Sequence, residues 1–204
     1  MFSPSRKNSG SLDITIGPMY SGKTSRLNYI LTDKADNGFK VIKIVHAEDV
    51  RENSESGSTH NSSYTQMSPK VTVVKTPTLS KIDVSRFSII GVDETNFFEK
   101  EDLLSTIEYW VEVLGKHVYV SGLCGTSKRV AFGHILDLIP MSNKVTKLNA
   151  TCKKCLEEQE DTNFHNNIFC LEAPFTKRTV DIDTEKLVGA GEYYIPVCRY
   201  HFSN

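Results

Sequence analysis

Residues 17–24 read Gly17-Pro18-Met19-Tyr20-Ser21-Gly22-Lys23-Thr24. A glycine, four variable positions and then Gly-Lys-Thr is the spacing of a loop that cradles a nucleoside triphosphate such as ATP. Each part has a physical task. Gly22 lets the backbone curl so that successive N–H groups face phosphate oxygens. Lys23 sets a cation against the β and γ phosphates, and Thr24 offers a hydroxyl to Mg²⁺. A helix starting there adds the positive end of its dipole.

Such a loop needs an acidic residue at the end of a neighbouring strand to hold Mg²⁺. Asp93 closes the apolar run 87–92 and meets that need. Glu94 follows directly. Side chains alternate along a strand, so the two carboxylates face different ways. One reading makes Glu94 the base that orients and deprotonates a hydroxyl acceptor. The other makes it a strand-end carboxylate or a helix cap, and spacing leaves both open.

A third constellation lies near the other end. Cys152 and Cys155 are separated by two residues, as are Cys198 and His201. Three thiolates and one imidazole match a closed, tetrahedral, structural Zn²⁺ site. Cys170 competes with His201 as fourth ligand, but it sits in the apolar run 168–171 and reads as a buried thiol. Cys124 reads as a small buried residue.

The elements that must position these groups can be traced in the pattern. Residues 12–16 form a short buried strand, and 25–35 a helix with Leu27, Ile30 and Leu31 on one face. Residues 40–45 and 71–74 read as strands. Residues 87–92 and 117–123 read as central buried strands, with an amphipathic helix at 103–114 between them. Residues 46–70 form a serine-rich polar loop. Strand and helix alternate to about residue 140, which predicts a parallel α/β sheet flanked by helices. Beyond it helical periodicity is absent, and short β-like runs at 145–151, 167–171 and 179–182 are bracketed by cysteines. The predicted division is a tail at 1–11, a P-loop domain at 12–144 and a zinc-ribbon-like β unit at 145–204.

Composition excludes several classes. The chain has 204 residues and a net charge of -1, so the basic bias of a nucleic-acid binder is missing. No apolar stretch reaches the roughly 20 residues that cross a bilayer. Residues 1–10 lack the apolar core of a signal peptide, so a cytoplasmic, reducing setting is expected, where cysteines ligate metal or lie buried.

From about residue 12 to 203 the chain resembles the type II, cytosolic-type thymidine kinase family. The likeness rests on Ile16-Gly-Pro-Met-Tyr-Ser-Gly-Lys-Thr24, Gly91-Val-Asp-Glu-Thr-Asn-Phe-Phe98, Phe132-Gly-His-Ile-Leu-Asp-Leu-Ile-Pro140, Lys147-Leu-Asn-Ala-Thr-Cys152 and Val188-Gly-Ala-Gly-Glu-Tyr-Tyr194. The resemblance implies transfer of the γ-phosphate of ATP to the 5′-hydroxyl of thymidine. It also implies a lasso segment, from about 170 to 194, that closes over the nucleoside. Under it Glu94 is the catalytic base, Asp93 the Mg²⁺-side carboxylate and Arg51 an arginine near the phosphates. Met19, Phe97, Leu123 and Phe132 line the base pocket. Thr176 and Tyr194 hold the nucleoside, and the backbone of Val188, Gly189, Ala190 and Gly191 reads the pyrimidine edge. The family is generally inhibited by thymidine triphosphate (dTTP) and commonly forms homotetramers.

Four positions depart from the family's usual residues. Cys124 and Ser127 stand where an acidic and an aromatic residue are common, Asn96 replaces a glutamine, and His201 replaces a fourth cysteine. Two other functions stay in view: a kinase for another nucleoside such as deoxyuridine, and a nucleic-acid-stimulated ATPase with a zinc ribbon.

Overall fold

The computed structural model describes residues 9–48, 67–161, 171–179 and 193–204. Six strands form one parallel sheet in the order β3-β2-β4-β5-β1-β6. They are β1 (Ser11–Gly17), β2 (Val41–His46), β3 (Thr72–Thr76), β4 (Ile89–Asp93), β5 (His117–Leu123) and β6 (Lys144–Lys147). β1 lies between β5 and β6, and β4 lies between β2 and β5. β2 and β4 are buried along their whole length, as their near-continuous apolar sequences require.

Two layers of helix cover the sheet. Helix α1 (Lys23–Asp36) sends Leu27, Leu31 and Ala35 into a cluster with Val41 and Ile89. Helix α2 (Lys100–Glu108) sends Leu103 and Ile107 into a larger cluster with Ile42, Ile44, Ile90, Val92 and Val118. Ile89 and Ile90 thus face opposite layers, which is the period-two alternation of a strand packed on both sides. The helix expected at 103–114 starts earlier and is not uniform: α2 passes at Tyr109 into a π-helical turn, Tyr109–Val113. The helix expected at 25–35 starts at Lys23, because the P-loop itself forms its first turn.

Past residue 147 the chain builds a second unit. β7 (Ala150–Thr151) pairs with β8 (Glu172–Ala173), and β9 (Phe175–Arg178) pairs with β10 (Tyr194–Val197), both antiparallel. The sequence reading expected no helix here. Among the described residues the structure has two, α3 (Lys153–Asp161) and α4 (Arg199–Ser203). In α3 the only apolar residues between positions 153 and 158 are Cys155 and Leu156, so no apolar stripe advertises the helix. α4 is a single turn. β6 pairs with β1, so the large sheet runs to Lys147, three residues beyond the expected boundary at 144. The expected runs at 167–171 and 179–182 lie largely outside the described residues.

The two-sided burial gives a graded expectation for stability. Ile90 is fully buried, and Ile90→Ala should cost about 2–5 kcal/mol in urea unfolding. Val73, on the edge strand and 46% exposed, should lose well under half of that on truncation to alanine.

Candidate active site

The P-loop leaves the C-terminal end of β1 and turns directly into α1. Gly22 caps the helix at φ 78, where glycine alone is unstrained, and a Cβ there meets nothing within 4 Å. The requirement at Gly22 is therefore conformational rather than spatial. Tyr20 also takes a positive φ of 65. Ser21 donates to the Pro18 carbonyl at 2.9 Å. Lys23 is buried and its Nζ donates to the same carbonyl at 2.7 Å, folded back over the loop. Thr24, one position on, donates to Asp93 Oδ1 at 3.4 Å. The fixed residues of the motif thus converge as their spacing predicts.

Asp93 ends β4 beside them, buried, and its two oxygens are divided. Oδ1 accepts from Ser121 Oγ at 2.5 Å, from the Glu94 backbone N–H at 3.1 Å and from Thr24. Oδ2 is 3.3 Å from Lys43 Nζ, in an ion pair whose side chains are 4% and 0% exposed. Two hard oxygen donors, the Thr24 hydroxyl and the Asp93 carboxylate, face each other at the mouth of the P-loop. That donor set suits Mg²⁺ arriving with phosphate.

Glu94 is buried and holds φ 49, the left-handed region, which costs a non-glycine residue roughly 1–2 kcal/mol. That turn ends β4 and starts a 3₁₀ turn, Thr95–Phe97. It is pinned by Thr95 Oγ1 donating to the Ser121 carbonyl at 2.8 Å. Strain held by surrounding packing is a mark of a functional position.

Beside this carboxylate the aromatic residues of the expected pocket come together. Phe97 and Phe132 meet edge to face with centroids 6.0 Å apart, both half-buried. Leu123 ends β5 in register with Gly17, and its N–H donates to Asn96 Oδ1 at 3.1 Å. Gly133, at φ 63, sits so close to Asn96 that a Cβ would come within 2.4 Å of the Asn96 carbonyl oxygen. The Met19 N–H donates to Thr176 Oγ1 at 3.0 Å, so β9 of the second unit touches the P-loop. Tyr194 lies on β10 opposite Arg178, whose Nη2 donates to its hydroxyl at 2.9 Å. Arg51 and residues 188–191 lie outside the described residues.

Three participants were not singled out from the sequence. Lys43 and Ser121 sit inside apolar strand runs and show their role only once β2, β4 and β5 are aligned. His46, buried at the end of β2, packs edge-on to Phe98 with centroids 4.7 Å apart and lies 5.8 Å from Phe97. The polar residue closing an otherwise apolar strand was its available signal.

The second constellation also assembles. The ligand atoms of Cys152, Cys155, Cys198 and His201 lie within 4.8 Å of one another. His201 Nδ1 is 3.4–3.5 Å from the three sulfurs, and the Cys155 and Cys198 sulfurs are 3.8 Å apart. A tetrahedron with Zn–S of about 2.3 Å and Zn–N of about 2.1 Å has edges of roughly 3.6 and 3.8 Å. The residues therefore fit structural zinc. His201 takes the fourth corner, and its Nε2 reaches Glu158 Oε1 at 2.8 Å, which orients the ring. Burial pushes the Cys152 thiol up, but hydrogen bonds from the Cys155 and Cys198 backbone and from His201 outweigh it and bring it to about 7. Burial and the neighbouring thiols push Cys155 up.

Comparison with known proteins agrees with this geometry. The family model described as thymidine kinase matches residues 10–202. A thymidine kinase of sheeppox virus is 33% identical over 93% of this chain and 95% of its own. Thymidine kinase a of Arabidopsis thaliana is 31% identical over 97% of this chain and 76% of its own. The cytosolic thymidine kinase of Bos taurus is 33% identical over 97% and 73%. None of the helices among the described residues is long and apolar enough to cross a membrane.

The cluster gives a direct expectation. Purified protein should carry about one zinc per chain by mass spectrometry. Cys155→Ser should abolish that content and lower the melting temperature by several degrees, since metal-binding energy is folding energy in such units.

Proposed function

The chain belongs to the thymidine kinase family, and from that premise we propose that it transfers the γ-phosphoryl group of ATP to the 5′-hydroxyl of thymidine, giving dTMP. The observation that carries the reading is the pairing of Asp93 and Glu94 across from the P-loop. One carboxylate faces Thr24, and the other belongs to a buried residue held in the left-handed region. A hydrolase needs only a positioned water. A strained second acidic residue, whose carbonyl accepts from the Phe97 N–H at the start of the turn carrying Phe97, suits a larger hydroxyl acceptor.

Each residue then has a task. Phosphate oxygens offer Lys23 a stronger acceptor than the Pro18 carbonyl, and its ammonium shifts to them as nucleotide enters. Backbone N–H groups of residues 20–24 and the N-terminus of α1 face the β-phosphate. Thr24 and Asp93 would hold Mg²⁺, which would supply positive charge against the phosphate oxygens. Glu94 accepts the proton of the 5′-hydroxyl as its oxygen approaches the γ-phosphorus, while the bond from phosphorus to the ADP oxygen breaks. Phe97 and Phe132 stack the pyrimidine, and Met19 and Leu123 close the pocket's apolar wall. Thr176 fixes the loop at Met19. In the same proposal Arg51 meets developing phosphate charge. The backbone of residues 188–191 reads the pyrimidine edge, and Tyr194 steadies the nucleoside. The zinc, held by Cys152, Cys155, Cys198 and His201, has no open position for chemistry. Bound there, it would anchor the end of β10, whose partner β9 carries Thr176 to the loop. Feedback binding of dTTP, a homotetrameric assembly and a cytoplasmic setting complete the proposal, carried by family likeness.

Glu94→Gln removes the base with little change in volume. With ATP and thymidine its kcat should fall about 10²–10⁴-fold while KM for ATP stays within a few-fold. Wild-type turnover retained in Glu94→Gln would overturn the base assignment. Nucleic-acid-stimulated ATPase without thymidine phosphorylation would overturn the reaction.

A further inference from the structure

Lys43 is the most costly side chain in the large sheet. It stands at the middle of β2, in register with Gly91 of β4 and Val73 of β3, with Ile42 before it and Ile44 after. It is 0% exposed, and its ammonium lies 3.3 Å from Asp93 Oδ2. A lysine is almost never buried this completely without a partner. A buried ion pair is weak support for stability, because desolvation consumes most of the Coulombic gain. The pair therefore calls for a reason other than folding, and its acidic half is the carboxylate facing Thr24.

Among the described residues, buried charge beside the P-loop is balanced. Lys23, Lys43, Asp93 and Glu94 are all buried, two cations against two carboxylates. Both oxygens of Asp93 already have donors: Ser121, the Glu94 N–H and Thr24 on one, Lys43 on the other. A divalent cation arriving alone would bring uncompensated positive charge to a buried, neutral site, against the ammonium of Lys43. A cation arriving on a nucleoside triphosphate brings its compensation with it.

We propose that Lys43 is a positioning residue that acts through Asp93. Its buried ammonium ties down one carboxylate oxygen, leaves the other aimed at Thr24, and keeps divalent metal out of the site until a polyphosphate accompanies it. This rests on the phosphoryl-transfer reading given above. It goes beyond that reading by assigning the order in which metal and nucleotide enter and the residue that sets the order. Acting through Asp93 alone, Lys43 loses its effect when Asp93 loses its charge.

The test uses the full chain with Mn²⁺ as probe, titrated by electron paramagnetic resonance without nucleotide. Lys43→Met keeps the length and removes the charge. Mn²⁺ affinity of the nucleotide-free variant should rise about tenfold over wild type. With ATP and thymidine its kcat should fall about tenfold, with KM for thymidine within twofold. In an Asp93→Asn background, adding Lys43→Met should change neither Mn²⁺ affinity nor kcat by more than about twofold. Unchanged Mn²⁺ affinity in Lys43→Met overturns the proposal, as does an equal change in both backgrounds. Should Lys43→Met alone fail to fold, the double variant removes both buried charges. Comparison with Asp93→Asn then decides: equal Mn²⁺ affinity and kcat support action through Asp93, and a further loss beyond threefold overturns it. Mn²⁺ binding is read without thymidine, so failure of the inference is separable from failure of wild-type thymidine phosphorylation.

Discussion

The site depends on how a single carboxylate is held. Asp93 ends β4 and gathers donors from β2, β5 and the first turn of α1. Lys43, Ser121, Thr24 and its neighbour's N–H all point at it. Each donor comes from a different element, so the carboxylate keeps its aim only while the sheet and the P-loop helix keep their relative positions. Replacing a buried ion pair by apolar residues of similar volume is often neutral or stabilising, by about 1–4 kcal/mol. The arrangement therefore spends foldedness on geometry at the one place where phosphate and metal must be registered within fractions of an ångström.

The second unit is tied to the same place by different physics. Its own core is small: Ala173 and Val197 with the cluster cysteines, and Leu171, Phe175, Ile195 and Phe202 around them. A core of that size gains from a staple, and the Cys152, Cys155, Cys198 and His201 set is compatible with a metal that would supply one. Arg129, itself at φ 61, lies 4.4 Å over the Phe202 ring and 5.6 Å over Phe175. It joins the loop after β5 to the zinc unit, while Thr176 joins β9 to the P-loop.

What could be read in the sequence followed how local each feature is. The P-loop, the Asp93–Glu94 step and the two cysteine–histidine pairs are short patterns with fixed spacing; Thr24 meets Asp93, and the four cysteine and histidine ligand atoms come together. The parallel sheet was visible because β2, β4 and β5 are continuous apolar runs. Lys43 was hidden by that logic, since a lysine inside an apolar run looks like a blemish until Asp93, fifty positions on, is laid beside it. The link from Met19 to Thr176 spans 157 positions and has no local signature. Helix α3 escaped because ligands rather than an apolar stripe hold it. The reading of residues 167–171 as a strand failed to anticipate the short pairing of Glu172–Ala173 with β7. Such two-residue ladders are too short to leave a strand-propensity signal.

The placement of β1 has a consequence for how the protein is made. This strand leaves the ribosome first among the sheet's six, yet its two partners are β5 and β6, the last two. The P-loop hangs from its end, and that loop's contact with Thr176 waits longer still. During synthesis the earliest strand must remain unpaired while more than a hundred residues follow it, with Leu12, Ile14 and Ile16 uncovered. A nascent chain with this order exposes a short adhesive strand for most of its translation, at about 5–20 residues per second. Phosphate-binding competence is therefore among the last properties the growing chain acquires, and holding chaperones have their longest opportunity at its first strand.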